Sequence, residues 1–253
     1  GLNDALEDHE VPLPLPEDIF ASLNGGTVFS QIDLSDAYLQ VELTEDARQM
    51  VVASTHRGFY RYNRLPFGVK TAPAIFQSIM YKMVHGLNGV ATYLDDIIVT
   101  GKTLEEHNEN ILALFERIQE YGFRVRLDKC SFLKDQIKFL GYLVDQHGRR
   151  PNPEKIEAIQ KMPEPKNVKD LRSFLGMVTY YGNFIPRLRE LRGRLDELTQ
   201  KTIEWKWNKE EQSAFDRIKE ILASDLNLTH YDPQKPIMVA ADASDYGIGY
   251  VLS

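Results

Sequence analysis

The sequence predicts an α+β fold in which an antiparallel sheet is backed by helices, followed by a mainly helical region. Two observations predict it. Apolar, β-branched runs at residues 28–34 and 90–100 are typical of buried strands. Apolar residues also recur at helical spacing in residues 75–83, 111–118 and 171–178. Helices with one apolar face therefore accompany the strands, and their natural partner is the sheet.

Composition limits the class of protein. With 253 residues, of which 43% are hydrophobic, the chain can bury a core large enough for two subdomains. Cys130 is the only cysteine, so no internal disulfide can form, and an intracellular, cytoplasmic location is expected. No apolar run is long enough to span a membrane, and no membrane partner is expected.

The net charge of -7 is unevenly distributed. Residues 124–201 contain 17 Lys and Arg against 10 Asp and Glu, a local charge of +7 (17 minus 10), whereas residues 1–123 are acidic. The basic middle region suits a segment that binds a phosphate backbone, and the acidic first half suits a segment that binds metal. Basic residues that decorate exposed helices would give the same count.

The first part of the chain is predicted to form a short helix followed by strands. Proline-rich residues 11–16 precede a helix that Asn24-Gly25-Gly26 ends. The strand at residues 28–34 carries Asp33 into or beside an apolar interior, where an acid needs a partner or a metal unless it caps the next turn. Alternating residues then predict antiparallel strands with one exposed face, at residues 39–43, 50–53 and 59–62.

A predicted hairpin at residues 89–101 carries Asp95 and Asp96 between two apolar runs. Neighbouring carboxylates repel each other, so either water reaches the turn or a cation binds there. Hard ions such as Mg2+ prefer these oxygen ligands, whereas a solvated turn needs no ion. Asp33 lies 62 residues before Asp95 (95 minus 33), so only the fold could join them. Acids from separate strands are what two-metal phosphoryl transfer uses.

The rest of the chain continues with capped helices and short strands. Helices are predicted to begin at Thr71, Thr103, Asn152 and Asn208, and prolines divide the third of these regions into two helices. Strands are predicted at residues 124–130, 137–142 and 236–241, and the last of them leads to Asp242.

Four motifs, in this order and spacing, resemble those of a reverse transcriptase. They are Phe-Ser-Gln-Ile-Asp-Leu-Ser-Asp-Ala-Tyr at 29–38, Arg-Leu-Pro-Phe-Gly at 64–68, Tyr-Leu-Asp-Asp at 93–96 and Phe-Leu-Gly at 139–141. The resemblance is to the gypsy class of long-terminal-repeat retrotransposons, and it covers essentially the whole chain. One Tyr-x-Asp-Asp is weak evidence, but four ordered motifs are strong. Retroviral enzymes typically carry Gln where this chain has Phe67, a difference that fits the gypsy class.

The resemblance implies a right-hand polymerase fold. Its expected parts are a palm with partial fingers (1–150), a helical thumb (151–201), a connector (202–235) and the truncated start of a ribonuclease H-like α/β domain (236–253). Asp242 would be the first metal-binding acid of that last domain. Because its other acids are absent from this sequence, no ribonuclease activity is expected from the segment. Finger strands that hold the triphosphate in the family would precede Gly1, so an incomplete nucleotide pocket is expected.

The resemblance also implies roles for individual residues. Asp33, Asp95 and Asp96 would hold two Mg2+ ions, with Mn2+ as a substitute. Tyr38 would lie beneath the sugar and exclude a 2'-hydroxyl, although a core tyrosine is the commoner fate of such a residue. Lys129 would be the general acid near the departing pyrophosphate, although an exposed lysine needs no such role. The resemblance implies three further sets of contacts. The residues that would contact the nucleotide are Leu34, Asp36, Ala37, Phe67, Gly68 and Lys70. The primer grip would consist of Phe139, Leu140, Gly141 and Tyr142, and the residues that would bind the nucleic-acid backbone are Arg187, Arg189, Arg192 and Arg194.

The implied function is RNA-directed DNA polymerisation within a retrotransposon polyprotein. The expected partners are an RNA or DNA template with its primer, deoxynucleoside triphosphates, and the polyprotein's protease, ribonuclease H and integrase domains. An alternative is a non-catalytic remnant or domesticated copy that binds nucleic acid without polymerising. A glycosidase with paired carboxylates has no support, because adjacent acids are not opposed across a sugar.

Overall fold

The computed structural model describes residues 2–7, 11–224, 228–229, 239–244 and 247–252, with side chains in the first two ranges. Its elements, in chain order, are α1 (Leu2–Ala5), α2 (Pro16–Ser22), β1 (Val28–Asp33), α3 (Glu45–Met50), β2 (Val52–Thr55), β3 (Gly58–Arg61), α4 (Ala72–Val84), β4 (Val90–Tyr93), β5 (Asp96–Gly101), α5 (Leu104–Glu120), β6 (Ser131–Lys134), β7 (Gln136–Phe139), β8 (Tyr142–Asp145), β9 (Gly148–Pro151), α6 (Pro153–Gln160), α7 (Val168–Tyr180), α8 (Leu188–Glu197), α9 (Lys209–Ala223), β10 (Leu228–Thr229), β11 (Val239–Ser244) and β12 (Gly247–Leu252). Short 3-10 helices lie at Ala37–Gln40, Leu127–Lys129 and Gly182–Phe184.

The central sheet has the strand order β4-β5-β1-β6 and is antiparallel throughout. β1 and β5 pair along their whole length, from Val28 opposite Gly101 to Asp33 opposite Asp96. The apolar runs that predicted buried strands correspond to β1, β4 and β5. The pairing of β1 with β5 brings together two parts of the chain that are far apart in sequence.

Both faces of the central strands are covered. On one face, Ile32, Ile97 and Val99 are fully buried against apolar residues of α4 and α5. On the other face, Phe29 and Ile98 belong to a second core that includes residues of the neighbouring sheet and of the helices after it. Since the strand interiors are enclosed on both sides, polar side chains of these strands can reach solvent or a ligand mainly at the strand ends.

A close contact fixes α5 behind the sheet. A Cβ atom on Gly101 would lie 2.3 Å from the backbone nitrogen of His107, so only glycine permits this approach. The hydroxyl of Ser30 and Nε2 of His107 are hydrogen-bonded at 2.9 Å, and both residues are buried. The contact joins the middle of β1 to the first turn of α5, and so holds the strand that ends at Asp33.

The second sheet has the strand order β10-β9-β8-β7 and is also antiparallel. Helices α6 to α9 follow β9 along the chain. Leu171, Phe174 and Val178 of α7 are buried in the same core as Phe139 and Val144 of this sheet. The sheet and the helices after it therefore share one core with the central sheet.

Most local predictions are confirmed. Thr103 accepts a hydrogen bond from the Glu106 N–H at 3.2 Å, and Asn208 and Glu211 form a capping box at the start of α9. Two predictions in the first part of the chain differ from the structure. Thr71 is the N-cap residue of α4, but its side chain makes no capping hydrogen bond. Residues 39–43 are not a regular strand, since a 3-10 helix at Ala37–Gln40 precedes an isolated bridge between Glu42 and Arg64.

No helix in the described part of the chain is both long and apolar enough to cross a membrane.

Candidate active site

Asp33 and Asp96 lie opposite each other where β1 ends and β5 begins. Directly paired residues in an antiparallel sheet project to the same face, so the two carboxyl groups share one face. Gln31, two residues before Asp33, is on that face and donates from Nε2 to Asp96 Oδ1 at 3.2 Å. The sheet thus assembles two acids that the sequence holds far apart.

The turn from Tyr93 to Asp96 adds the third acid. Leu94 has a φ of 54°, an uncommon conformation for a non-glycine residue that costs about 1–3 kcal/mol. Its N–H donates to Oε1 of Gln77 at 2.7 Å, and Gln77 is completely buried on α4. Nε2 of Gln77 has no hydrogen-bond partner among the described residues. The strained turn leaves Asp95 exposed beside the two strand-end acids.

The charges of Asp33 and Asp95 both act on the carboxyl group of Asp96. Burial is the largest cause that raises the pKa of Asp96 above its ordinary value. The Gln31 hydrogen bond opposes that shift, while the negative charges of Asp95 and Asp33 raise the pKa further. A positive charge at this position would relieve both the repulsion and the loss of hydration.

The donor set fits a hard divalent cation that substrate oxygens help to bind. Within residues 2–7 and 11–224, no three His, Cys, Asp or Glu side chains form a group that could hold a metal by themselves. Mg2+ is usually bound through one or two carboxylates, with water and substrate phosphates as the remaining ligands. Three neighbouring aspartates with no basic side chain bonded to any of them in this part of the chain match that chemistry.

Lys129 is the last residue of the 3-10 helix at Leu127–Lys129, which lies beside the end of β1. The Arg126 N–H donates to the Asp33 carbonyl at 2.8 Å, and the Asp33 N–H donates to Cys130 Sγ at 3.4 Å. The Lys129 side chain is exposed. The strand predicted at residues 124–130 is not formed, and only Val125 makes a β-bridge, with Leu34. The chain after it turns into the 3-10 helix, in which the Lys129 N–H donates to the Arg126 carbonyl.

Tyr38 lies in an aromatic cluster next to the acids. Its ring centroid is 5.3 Å from that of Phe67 and 5.2 Å from that of Phe76. Burial first, and then the charge of Asp95, raise the pKa of Tyr38, which indicates that the ring and this carboxylate are close. Phe67 is 64% exposed, so the cluster has a buried side and an open side.

The other predicted nucleotide contacts surround this cluster. Asp36 has a φ of 52° and forms an ion pair with Arg126 at 3.1 Å, while Leu34 and Ala37 are buried. The loop with Gly68 and Lys70 is held by α1. Asn3 donates to the Gly68 carbonyl at 2.9 Å, and its own side-chain oxygen accepts the Lys70 N–H at 2.9 Å.

The predicted primer-grip residues form the tight turn between β7 and β8. Phe139 and Tyr142 are paired and buried at its base, and Leu140 and Gly141 form its tip. Leu140 and Gly141 both have positive φ angles, 45° and 75°. The sequence predicted the glycine here but not the strained leucine.

Three of the four predicted backbone-binding arginines, Arg187, Arg192 and Arg194, already have acidic partners. Arg187 pairs with Glu190 at 2.6 Å and Arg194 with Glu210 at 3.1 Å. Arg192 makes two hydrogen bonds to the Asp196 carboxylate, and Arg189 also has an interaction partner. Exposed pairs of this kind contribute at most about 1 kcal/mol each, so phosphate groups could compete for these arginines. The backbone of Asp242 lies within β11, opposite Gly249 of β12. The first part of the strand predicted at residues 236–241, residues 236–238, lies outside the described residues.

Two family descriptions match the chain. Residues 2–144, more than half of the sequence, match the family described as "Reverse transcriptase (RNA-dependent DNA polymerase)". The chain belongs to the reverse transcriptase family. Residues 207–253 match the "RNase H-like domain found in reverse transcriptase". The predicted α+β polymerase fold class is confirmed.

Individual relatives agree with this family. The Transposon Tf2-3 polyprotein of Schizosaccharomyces pombe is 34% identical over 254 residues, which cover 100% of this chain and 19% of the polyprotein. A structure of the foamy viral protease-reverse transcriptase dRH in complex with ds DNA has a TM-score of 0.89 at 26% identity, covering 99% of this chain and 45% of that chain. The same viral enzyme in complex with RNA/DNA hybrid has a TM-score of 0.82 at 26% identity, covering 96% and 35%.

These relatives confirm the resemblance to a reverse transcriptase of a gypsy-class retrotransposon. The chain spans about a fifth of the length of the transposon polyprotein.

Sequence reasoning missed two sets of site residues. Gln77 lies among the apolar residues of the predicted helix at residues 75–83, and its polar side chain was the one feature that could have indicated a role. Tyr180 and Tyr181, described below, follow the helical pattern at residues 171–178 and were given no role. Their adjacent phenols gave no indication of a partner 40 residues away.

Proposed function

We propose that this chain is the polymerase region of an RNA-directed DNA polymerase, which adds deoxynucleotides to a primer 3'-hydroxyl. The proposal rests on the meeting of Asp33, Asp95 and Asp96 at paired strand ends of a reverse transcriptase fold. Two bound Mg2+ ions would activate the hydroxyl and stabilise the charge of phosphoryl transfer. The three aspartates would hold these ions together with the triphosphate oxygens.

The surrounding residues have corresponding proposed roles. Tyr38 excludes the 2'-hydroxyl of a ribonucleotide, and Phe67, Gly68 and Lys70 line the nucleotide side together with the backbone of Leu34, Asp36 and Ala37. Lys129 is the proposed proton donor to pyrophosphate, which its exposed position beside the end of β1 supports. Arg187, Arg189, Arg192 and Arg194 contact phosphates of the duplex, for which Arg187, Arg192 and Arg194 give up their acidic partners.

The proposed division of the chain remains palm with partial fingers at 1–150, thumb at 151–201, connector at 202–235 and the start of the ribonuclease H-like domain at 236–253. The first boundary is supported by the change from strands to helices between β9 and α6. The shared core between the central sheet and α7 supports a thumb that packs directly on the palm.

Primer extension tests the proposed function. The chain is incubated with a 5'-labelled DNA primer on an RNA template, deoxynucleoside triphosphates and Mg2+, and with Mn2+ in a parallel reaction. We expect extension that EDTA abolishes. A chain that binds the primer–template in a mobility-shift assay, yet extends it with neither ion, would contradict the proposal and identify a non-catalytic binding module.

A further inference from the structure

The β7–β8 turn needs external support. Leu140 and Gly141 are the two central residues of a two-residue hairpin loop, and both have positive φ angles of 45° and 75°. A turn of this type favours Asn-Gly or Gly-Gly, because a side chain at the first position is strained. Leu140 therefore occupies a conformation that contacts outside the turn must stabilise.

Two consecutive tyrosines provide these contacts. The Tyr180 hydroxyl donates to the Leu140 carbonyl, and the Tyr181 hydroxyl donates to the Gly141 carbonyl at 2.9 Å. Adjacent residues within a helix project about 100° apart. Here α7 ends at Tyr180, so Tyr181 leaves the helical path and both phenols can reach the same turn.

The turn and the tyrosines fit closely. A Cβ atom on Gly141 would lie 3.1 Å from the Tyr181 hydroxyl oxygen and 3.3 Å from a ring carbon of Tyr180. The rings of Tyr180 and Tyr181 are 5.1 Å apart and nearly perpendicular. Tyr142, at the base of the turn, packs on both rings and donates its hydroxyl to the Tyr180 carbonyl at 3.0 Å. Both phenols are thus held in place.

Tyr180 also lies near the turn that carries the acids. Burial is the main cause that raises the pKa of Tyr180, and a hydrogen bond with Tyr142 opposes this rise. The nearby Tyr93 raises the same pKa by a smaller amount. Tyr93 ends β4, two residues before Asp95, and it packs on the same core as Leu140. Tyr180 is 45% exposed, so part of its side chain remains open to solvent. Burial raises the pKa of Tyr181 to about 12, so its hydroxyl stays protonated as a donor at neutral pH.

We propose that Tyr180 and Tyr181 are positioning residues that fix the Leu140–Gly141 turn relative to Asp95 and Asp96. The inference rests on the proposed function and on the primer-grip role that the family resemblance implies for this turn. The two phenols couple the end of the thumb helix α7 to the primer terminus. Without their hydroxyls, the primer binds but its 3'-hydroxyl is not held in line for attack.

The variants Tyr180→Phe, Tyr181→Phe and the double variant test this role. They remove the hydroxyls and keep the rings. Because an error of about 1 Å in the position of a reacting atom can cost up to about 100-fold in rate, we expect the maximal rate of single-nucleotide addition to fall by about 10-fold in each single variant. The dissociation constant of the primer–template should change by less than about 2-fold, since the duplex is gripped elsewhere. Tyr121→Phe, at the exposed end of α5, is the matched control and should extend like the wild type.

A second measurement uses Gly141→Ala, alone and combined with Tyr181→Phe. Because a Cβ atom at this position would lie 3.1 Å from the Tyr181 hydroxyl, this double variant should lose less rate than the product of the two single losses. Wild-type rates in both Phe variants, or losses that only match weaker primer–template binding and a lower unfolding temperature, would overturn the positioning role and leave the polymerase intact. Absence of extension by the wild type and by Tyr121→Phe would overturn the proposed function, and this inference with it.

Discussion

Asp96→Asn is expected to reduce primer extension by about 100-fold or more, and at the same time to stabilise the metal-free chain. The loss of rate follows because a metal-binding carboxylate supports several kcal/mol of transition-state stabilisation. The gain in stability follows from the site itself, since Asp96 is largely buried and is repelled by Asp95 and Asp33. Asn has nearly the same shape, and its amide oxygen can still accept from Gln31.

The gain in stability should depend on pH. The raised pKa of Asp96 means that the folded chain binds this proton more tightly than the unfolded chain does. This contribution to stability is fully present below the pKa of the unfolded state, and it is lost as the pH rises through the raised pKa of the folded state. In EDTA, the unfolding temperature of Asp96→Asn should therefore exceed that of the wild type increasingly from pH 4 to pH 7.

Circular dichroism melts in EDTA and in Mg2+ check this prediction. Asp135→Asn removes an exposed acid in the loop between β6 and β7, and should change neither extension nor the unfolding temperature. An Asp96→Asn chain that extends primers at the wild-type rate, or that melts below the wild type at pH 7 in EDTA, would contradict the assignment of Asp96.

Tyr38→Ala is expected to lower the discrimination between deoxynucleotides and ribonucleotides by at least about 10-fold. Discrimination by a clash disappears when the clashing group is removed. The ring lies against Phe67 and Phe76 and close to Asp95, so it borders the proposed position of the nucleotide sugar. The change should appear mainly as faster ribonucleotide incorporation.

Single-nucleotide addition with dGTP and with GTP, opposite a template C, measures this ratio. Tyr38→Phe keeps the ring and should retain the discrimination of the wild type, which separates the bulk of the ring from its hydroxyl. Equal ratios in Tyr38→Ala and the wild type would exclude Tyr38 as the gate and favour a core role for this residue.

Local patterns were sufficient to predict much of the fold. The β4–β5 hairpin, the capped start of α5 and the division of α6 from α7 all depend on neighbouring residues, and all are present. Residues 39–43 were predicted to be a strand because apolar and polar residues alternate along them, which is a local pattern. The outcome depends instead on Gln40, whose amide nitrogen donates to the Ser35 carbonyl and to the Arg124 carbonyl 84 residues away.

The site was less predictable from local patterns. Asp33 and Asp96 belong to separate strands, and their pairing in register is set by long-range apolar packing of β1 and β5. Motif resemblance indicated that they would meet, but not that Gln77 would hold the strained Leu94 turn. The contact between Tyr180 and Leu140 likewise depends on where α7 ends against the second sheet.

Counting bound divalent ions tests the two-metal site most directly. Mn2+ is titrated into the chain with a dideoxy-terminated primer on an RNA template and the next correct deoxynucleotide, and free Mn2+ is measured by electron paramagnetic resonance. A matched titration without protein corrects for ions bound by nucleic acid and nucleotide. We predict two protein-dependent ions for the wild type and for Asp135→Asn, and a clear loss for Asp33→Asn and Asp95→Asn. Equal Mn2+ binding by all four proteins, with the primer–template still bound, would contradict metal binding by these aspartates.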